Sequence, residues 1–520
     1  MGALKAGITF KPVSVDDLKF KKDLENEVRV VPPKGFVRRT FTPWKFQAHD
    51  LVELRYKAEL EGGSANWNDM GLGKTTSAIW HFTQLKCKKV LIITTKTGKT
   101  TYFETLPHIR PDMAMFNLKA GLEEIPTEDG VYLAHYNLFQ YSRIKKNDPG
   151  ARYKRREPNH LCQLLLAQEW DMVILDEAHR IKSREAQCTK NIRKLKSKYR
   201  HIMTGTGFIN DPSEVWQLLN WLNPNKWESY WGFRNAYCNI INVGGFAKVK
   251  GIKPGLEDSF RNILRNVGVR HSKAEVFPDL PEKYYKEVVV DLNPTQARMY
   301  KQIVEVLEAL DQGGTPLWTT NVLSQMARLR QISAATPRVV REYWDEESMK
   351  RMMEVELEEP SSKLDALMEI LEDTDEPIVV FSEWRGVVKL ALERFKKAGI
   401  SYVHLRSEDS DEERAAKVQA FQSGRGQVFI STLKLGSESI TVTRASTVVF
   451  LDRSWSPKDN KQAEDRLHRP GQKNAVEVID IVARHTIDNR IKAVNKEKNG
   501  WFAEIFGKWL LEQITEGENE

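Results

Sequence analysis

A short apolar run that ends in two adjacent carboxylates constrains this chain more than any other feature. In WDMVILDEAHRIKS (residues 170–183), Met172 to Leu175 is apolar and half β-branched, as expected of a strand buried on both faces of a parallel sheet. Asp176 and Glu177 follow at its carboxyl end, where open α/β sheets bind ligands. Adjacent carboxylates are costly in an apolar setting unless a cation such as Mg²⁺ balances one of them, although Asp and Glu are also favoured in a solvated first helical turn. The stretch therefore predicts a metal–nucleotide site at a strand end.

A glycine-rich loop supplies the second half of such a site. In NDMGLGKTTSAIW, Gly71 and Gly73 allow a tight backbone, Lys74 adds a positive charge, Thr75 adds a hydroxyl, and a helical pattern follows. Such a loop directs backbone N–H groups and a helix N-terminus at phosphates, while the hydroxyl binds magnesium. Asn68 stands where the full pattern has its first glycine, and the preceding GGSANWN is a weak strand. The loop predicts phosphate binding, with ordinary turn formation as the alternative.

The other strand and helix patterns divide the 520 residues into two α/β regions. Apolar runs at 90–94, 131–134 and 201–203 accompany the carboxylate strand, and PIVVF, YVHL, QVFIST and TVVFLD form a second alternating set. The predicted fold class is α/β, with two tandem parallel-sheet lobes and a tryptophan-rich helical insertion between them. The predicted segments are an N-terminal arm (1–37), a first lobe (38–211), the insertion (212–345), a linker (346–362), a second lobe (363–505) and an acidic tail (506–520).

Composition favours a polyanionic partner and a reducing environment. Lysine plus arginine outnumber aspartate plus glutamate 79 to 71, and the dense basic run at 143–157 is either a nucleic-acid contact or a solvated loop. The four cysteines form no C-x-x-C pair, so neither a zinc knuckle nor a disulfide framework is indicated. No early apolar run is long enough for a signal peptide or a membrane span. We expect a soluble intracellular protein that does not bind membranes.

A second cluster, QAEDRLHRPGQ (462–472), places Arg466 and Arg469 three residues apart, a spacing that puts both on one face of a helical turn. Paired arginines can be surface residues. Together with a phosphate loop in the other α/β region, however, they suggest fingers that neutralise the charge on a transferred phosphoryl group.

The motifs together carry a resemblance to a known family. MGLGKTT, LDEAH, TGT at 204–206, an S-T-x-K-x-G run at 431–436 and QAEDRLHRPGQ occur in this order. They resemble the superfamily-two helicase core, specifically its Swi/Snf-type branch, in the compact form found in bacteria and their viruses. EVWQLLNWLNP and VRHSKAEVFPDLPEK look like the helical insertion of that branch, and the match covers residues from about 40 to 505.

This resemblance implies a DNA-dependent ATPase of two RecA-like lobes that translocates along double-stranded DNA, with ATP and Mg²⁺ as cofactors. The alternatives are a helicase that separates DNA or RNA strands, and a DNA-clamping scaffold without catalysis; a nuclease or restriction subunit is weaker. A monomer is expected, in the cytoplasm or, in a eukaryote, the nucleus. Protein partners in replication, repair or transcription are compatible, and the pathway stays open.

The resemblance also assigns roles to single residues. Lys74 would contact the β- and γ-phosphates, Glu177 would orient the attacking water, and Arg466 and Arg469 would be the fingers. Thr75 and Asp176 would bind the magnesium. The nucleotide contacts would be Gln47 on adenine and the loop residues Met70, Gly71, Leu72, Gly73, Lys74, Thr75 and Thr76. The residues that would couple the ATP state to DNA are His179, Thr204, Gly436 and Gln462.

Several positions depart from the family pattern. They are Gly207 in place of a usual proline, Ser407 and Ser437 in place of glycines, Ser439 with Thr441 in place of a Gly…Asn pair, and His271 in the second place of an arginine pair. None is a catalytic acid, lysine or finger, so we expect ATP hydrolysis to survive. The resemblance implies that the loop after Lys434 belongs to the second lobe's DNA-contact surface. We therefore expect these substitutions to affect the coupling to DNA more than ATP hydrolysis.

Overall fold

The computed structural model describes residues 28–30, 38–140, 159–205, 212–243, 246–312, 322–345, 350–437 and 440–496. Most of the predicted arm, the basic run at 143–157, Gly207, Ser439 and the acidic tail lie outside these ranges. The described chain forms two compact units, of which the first ends at Pro278 and the second begins at Asp279. None of the helices within the described residues is long and apolar enough to cross a membrane.

Among the residues that the structure describes, ten strands belong to the first unit. They are β1 (Arg29–Val30), β2 (Gly63–Asn66), β3 (Lys89–Thr94), β4 (Ala114–Asn117), β5 (Gly130–His135), β6 (Glu169–Asp176), β7 (Lys196–Met203), β8 (Cys238–Val243), β9 (Phe246–Ile252) and β10 (Gly268–Val269). Eight of them form one sheet in the order β1-β4-β5-β3-β6-β7-β2-β10. Every neighbouring pair is parallel except β1 with β4, while β8 and β9 form a separate antiparallel pair.

The helices of the first unit connect these strands. They are α1 (Lys45–Glu61), α2 (Lys74–Gln84), α3 (Lys96–Ile109), α4 (His160–Ala167), α5 (Gln187–Ile192), α6 (Val215–Leu222), α7 (Tyr230–Tyr237), α8 (Glu257–Val267) and α9 (Lys273–Val276). Short 3-10 turns cover Tyr136–Phe139, Ala178–Ile181 and Pro212–Glu214. Helix α1 ends where Gly62 takes a left-handed conformation at φ +71°, which glycine adopts without strain.

Both faces of the central strands are buried, which explains their continuous apolar sequence. Val90 and Ile92 of β3 enter one hydrophobic cluster, while Leu91 and Ile93 enter the cluster on the other face. The four residues of the run at 172–175 divide between the same two clusters. Side chains alternate between the faces of a strand, so a strand covered on both faces needs apolar residues throughout.

The weak strand before the glycine-rich loop is a true strand. All four residues of β2 are buried, between β7 on one side and β10 on the other. A Cβ at Gly63 would lie 2.9 Å from the backbone oxygen of Leu222, so this position has no room for a side chain. The sequence looks weak because close packing, rather than strand propensity, selects its small residues.

The second unit is built on a wholly parallel six-stranded sheet in the order β11-β18-β17-β14-β16-β15. Its strands are β11 (Lys283–Val290), β14 (Ile378–Ser382), β15 (Tyr402–His404), β16 (Val428–Thr432), β17 (Thr447–Phe450) and β18 (Val476–Ala483). An antiparallel hairpin of β12 (Thr336–Asp345) and β13 (Lys350–Glu358) stands apart from it. The helices are α10 (Pro294–Gln312), α11 (Val322–Ala334), α12 (Ser362–Glu372), α13 (Arg385–Ala398), α14 (Asp411–Gln422), α15 (Leu433–Gly436), α16 (Pro457–Glu464) and a helix over 487–496.

The fold class is therefore confirmed as α/β with two parallel-sheet lobes. Residues 212–345, predicted as the helical insertion, carry helices α6 to α11 but also the β8–β9 pair. Within this stretch, β10 pairs with the first sheet and β11 with the second. The segment boundaries given above stay predictions.

No disulfide joins the four cysteines, all of which are described and lie in the first unit. Cys87, Cys162 and Cys238 are buried and Cys188 is half-buried. Burial raises the pKa of the Cys87 and Cys188 thiols to about 12 and that of Cys162 to about 11. Thiols so rarely ionised at neutral pH are poor nucleophiles.

Candidate functional site

The glycine-rich loop joins β2 to α2, as the strand–loop–helix pattern predicted. Gly71 has φ +86° and Gly73 has φ +67°, values that side chains of L-residues rarely tolerate. A Cβ at Gly73 would also lie 2.7 Å from Nε2 of Gln47. Both glycines are therefore needed for the loop's path, and α2 starts directly at Lys74.

Gln47, predicted to contact adenine, supports this loop from α1. Its side chain is 2% exposed, and Nε2 donates to the backbone oxygens of Leu72 at 3.2 Å and Gly73 at 3.3 Å. Its Oε1 accepts from the backbone N–H of Trp44 at 3.0 Å. The adenine contact stays a prediction, while the loop-supporting contact is a feature that the sequence did not reveal.

Lys74 lies across its own loop. Its Nζ donates to the backbone oxygens of Asn68 at 2.8 Å and Asp69 at 2.9 Å. Burial lowers the pKa of the ammonium group, while the charges of Glu177, Asp69 and Asp176 oppose that shift. A partly desolvated ammonium held in place by two carbonyls is well prepared to bind phosphate oxygens.

The other predicted loop residues differ in exposure. Leu72 is buried, whereas Met70 and Thr75 are half-buried. Thr76 donates from Oγ1 to the backbone oxygen of Gly73 at 2.6 Å, which fixes the first turn of α2. The hydroxyl of Thr75, one residue after Lys74, is thus the loop's candidate metal ligand.

The carboxylate pair lies at the end of β6, as expected. Thr94 donates from Oγ1 to Oδ2 of Asp176 at 2.8 Å, and the Tyr136 hydroxyl donates to the Asp176 backbone oxygen at 2.7 Å. Burial, and next the charge of Glu177, raise the pKa of the Asp176 carboxyl to about 6. A bound cation would reverse that shift. A hydroxyl and a carboxylate are oxygen ligands of the type Mg²⁺ prefers, so these residues fit a magnesium–nucleotide group.

A series of contacts connects the Glu177 carboxylate to strand β2. It has φ +54°, an uncommon backbone conformation for a residue other than glycine that is often found at functional sites. Nδ1 of His179 lies 3.3 Å from Oε2 of Glu177 and 3.3 Å from Oγ1 of Thr204. The backbone N–H of Thr204 donates to the oxygen of Asn66 in β2 at 3.1 Å. The structure thus brings together the two predicted coupling residues of the first unit and connects them to the strand before the phosphate loop.

The two arginines of the second unit do not share a helical turn, so that prediction was wrong. Helix α16 ends at Glu464, and Arg466 and Arg469 lie in the turns that follow. The residue before a proline is disfavoured in the α conformation, and Pro470 follows Arg469 directly. Gln462 is half-buried within the last turn of α16.

Both arginines contact the loop after α15. Arg466 donates from Nη2 to the backbone oxygen of Ser437. Arg469 donates from Nη1 to Oγ1 of Thr441 at 2.9 Å and from Nε to the backbone oxygen of Asp465 at 2.8 Å. Gly436 ends α15, where a Cβ would lie 2.7 Å from Oγ of Ser431. Of the positions that depart from the family pattern, Ser437 thus contacts Arg466 through its backbone oxygen and Thr441 contacts Arg469 through its side-chain hydroxyl.

A buried polar cluster next to the phosphate loop was not foreseen. Oγ of Ser64 in β2 lies 2.9 Å from Nε2 of His81 in α2 and 2.8 Å from Nδ1 of His201 in β7. Burial lowers the pKa of His81 to about 3 and that of His201 well below its usual value. The cluster joins α2, β2 and β7 through two neutral histidines. No periodic pattern marks it, because its members are spread over 138 positions.

The fold and the site together define the class of protein: a two-lobed, helicase-type α/β core with a phosphate loop and a carboxylate pair in the first lobe. Comparison with known families is more specific. Residues 66–337 match the SNF2-related domain, and residues 362–471 match the helicase conserved C-terminal domain. The first match alone covers more than half of the chain, which belongs to the SNF2-related family.

Individual relatives are distant. The chain is similar to the putative ATP-dependent helicase/translocase YwqA of Bacillus subtilis, with 26% identity across 91% of this chain and 49% of the relative. It is also similar to the chromodomain-helicase-DNA-binding protein 1-like of Danio rerio, with 29% identity across 64% of this chain and 32% of the relative. The chain thus spans less than half the length of these curated relatives. A solved SWI2/SNF2 ATPase core from Sulfolobus solfataricus, in complex with dsDNA, is 25% identical across 87% of this chain and 92% of that one, with a TM-score of 0.41.

Proposed function

We propose that this chain is a DNA-dependent ATPase that uses ATP hydrolysis to translocate along double-stranded DNA. The observation that carries the proposal is the charge arrangement of the first unit, where the Lys74 ammonium lies in the field of Asp176 and Glu177 at the end of one parallel sheet. Membership of the SNF2-related family supports it. The name of one relative, a chromodomain-helicase-DNA-binding protein, supports DNA as the track, and the name of another, a putative helicase/translocase, supports translocation.

In the proposed reaction each residue of the first unit has a separate task. Lys74 binds the β- and γ-phosphates, and Thr75 with Asp176 holds the magnesium ion, which supplies charge neutralisation on the phosphates when bound. Glu177 orients the attacking water and can accept its proton. Gln47 contacts the adenine from α1, beside the loop that it supports. ATP hydrolysis, rather than nucleotide binding alone, is the expected outcome of this set.

The remaining residues are proposed to link hydrolysis to movement. His179 and Thr204 carry the state of Glu177 to β2, through the contacts described above. Arg466 and Arg469 act as the fingers that stabilise charge on the transferred phosphoryl group, and Gly436 with Gln462 belongs to the coupling surface of the second unit. A change of phosphate state that alters domain closure is sufficient for directional stepping.

The proposal is tested by ATP turnover with single-stranded DNA, blunt duplex, forked duplex and RNA, each compared with no nucleic acid. We expect duplex DNA to stimulate turnover most, and Lys74→Ala to remove it. Triplex displacement on a blunt duplex, run beside fork unwinding, separates translocation from strand separation. Displacement of the third strand with an intact fork supports a translocase, an unwound fork supports a strand-separating helicase, and no turnover with any polymer supports a scaffold without catalysis.

A further inference from the structure

The first half of the phosphate loop is paired with a strand that lies 200 residues further along the chain. The backbone N–H of Trp67 donates to the oxygen of Val269 at 2.9 Å, and that of Asp69 donates to the oxygen of His271 at 3.0 Å. The parallel pairing of β2 with β10 therefore continues past both strands into the loop. A Cβ at Gly268 would lie 2.8 Å from Cβ of Ala65, so only glycine permits this approach.

A buried ion pair adds to this backbone pairing. Arg270 is 2% exposed and donates from Nη2 to Oδ1 of Asp69 at 2.6 Å, and from Nη1 to the backbone oxygen of Trp67. The other carboxylate oxygen of Asp69 accepts from the backbone N–H of Lys273 at 3.2 Å. The Arg270 guanidinium thus contacts both a side chain and a backbone carbonyl of the loop. Removing one partner of such a buried ion pair is destabilising, because the other charge stays buried without compensation.

Asn68 is held by the same segment, which accounts for an asparagine in place of the usual glycine. Its Oδ1 accepts from the backbone N–H of His271 at 2.6 Å, and its Nδ2 donates to Oδ2 of Asp50 at 2.7 Å. Oδ1 of Asp50 is in turn 2.9 Å from Nε2 of His271. A glycine at position 68 would lose both side-chain contacts.

These two clamped residues are the ones that hold the catalytic lysine. Nζ of Lys74 is bound by the backbone oxygens of Asn68 and Asp69 alone among the contacts described. Any shift of residues 68 and 69 therefore moves the ammonium that is proposed to bind phosphate. The segment that prevents such a shift, residues 268–273, lies just before Pro278, where the chain leaves the first unit.

We propose that Arg270 is a positioning residue for Lys74, acting through Asp69, and that nucleotide affinity depends on how residues 268–273 are seated. This inference rests on the proposed function in that the ligand of Lys74 is taken to be a nucleoside polyphosphate. It assigns a role in nucleotide binding to a buried residue that acts through the phosphate loop.

The test compares Arg270→Lys and Asp69→Asn with the parent. Arg270→Lys keeps the charge but loses the forked contact, and Asp69→Asn keeps the shape but loses the charge. Each should raise the KM for ATP, and the Kd for Mg²⁺–ADP measured by calorimetry without DNA, by about tenfold, the value of one charge-assisted hydrogen bond. kcat should change by less than about twofold, because binding of ground state and transition state weakens together. The double variant should have a KM and a Kd no higher than those of the more affected single variant, because both substitutions break the same ion pair.

A matched control is available in the same unit. Arg200 donates from Nη1 to the backbone oxygen of Trp221 at 2.7 Å and from Nη2 to that of Leu195 at 3.4 Å, with no contact to the phosphate loop among its described bonds. Arg200→Lys should leave the KM within about twofold of the parent. Simple loss of folded protein would lower kcat and leave KM unchanged, so the KM shift distinguishes positioning from general destabilisation.

The outcomes are separable from those of the ATPase proposal. Parent-like KM and ADP affinity in Asp69→Asn and Arg270→Lys, with both lost in Lys74→Ala, would refute the positioning role and leave the ATPase proposal intact. If Arg270→Lys does not fold, Asp69→Asn decides alone. A parent protein that neither binds ADP nor hydrolyses ATP would overturn both.

Discussion

The buried histidine cluster makes the first unit sensitive to acid. His81 and His201 share the hydroxyl of Ser64 and are fully buried, and burial holds the pKa of His81 at about 3 and that of His201 well below its usual value. In the unfolded chain both have a pKa of about 6.5. The unfolded state therefore binds more protons once the pH falls below about 6.5, and folding stability decreases from there downward.

The magnitude follows from the pH interval. Each pH unit between the unfolded and folded pKa values costs about 1.4 kcal/mol for each histidine. At pH 5 the cost for His81, whose folded pKa is about 3, is about 2 kcal/mol relative to pH 7.5. The lowered pKa of His201 acts in the same direction. For a unit of this size, 1 kcal/mol corresponds to about 2–4 °C in Tm, so His81 accounts for about 4–8 °C.

The assay is thermal unfolding at pH 7.5 and pH 5 for the parent and for His81→Gln, which carries no proton at that site. The drop in Tm between the two pH values should be about 4–8 °C smaller in His81→Gln than in the parent. His49→Gln is the matched control, because His49 is exposed on α1; its drop should equal that of the parent. An equal drop in parent and His81→Gln would mean that the buried ring takes up its proton without unfolding, and the reasoning would be wrong.

Three further outcomes are expected. Glu177→Gln should reduce ATP turnover by about a hundredfold or more while leaving ADP affinity unchanged, and turnover at the parent rate would refute its role with the attacking water. Gly73→Ala should weaken Mg²⁺–ADP binding at least tenfold, because a Cβ there would lie 2.7 Å from Nε2 of Gln47 at φ +67°; parent-like calorimetry would contradict the described loop geometry. Thr441→Val removes the acceptor of Arg469 Nη1 and should lower kcat several-fold with KM unchanged, whereas an unchanged kcat would separate this bond from the finger role.

Sequence patterns predicted the buried strands, the glycine-rich loop and the carboxylate pair, because each depends on residues that are close together in the sequence. The runs at 90–94 and 172–175 are strands because both faces of the sheet are covered, and continuous apolar sequence reports that directly. Gly71 and Gly73 were readable as a phosphate loop because positive φ values select glycine. The carboxylates were readable from their place at the end of such a strand.

The missed features depend on tertiary contacts. Asp50 and His271 are 221 positions apart and meet only because β10 joins the sheet beside β2, which no periodicity encodes. The predicted helical turn for Arg466 and Arg469 failed because spacing alone ignored Pro470, which disfavours the α conformation at the preceding residue. The support that Gln47 gives to the loop could not be predicted, because the two carbonyls that it contacts belong to residues 25 and 26 positions away.

The distribution of cysteines has a practical use. The second unit contains none, and three of the four in the first unit are buried, with weakly acidic thiols at Cys87 and Cys162. A single cysteine introduced at an exposed position of the second unit, such as Lys397 on α13, would therefore react with maleimide dyes far faster than the native thiols. If a second cysteine is introduced at an exposed position of the first unit, both can be labelled without removing the native cysteines. Fluorescence energy transfer between the two dyes would then report domain motion during nucleotide turnover.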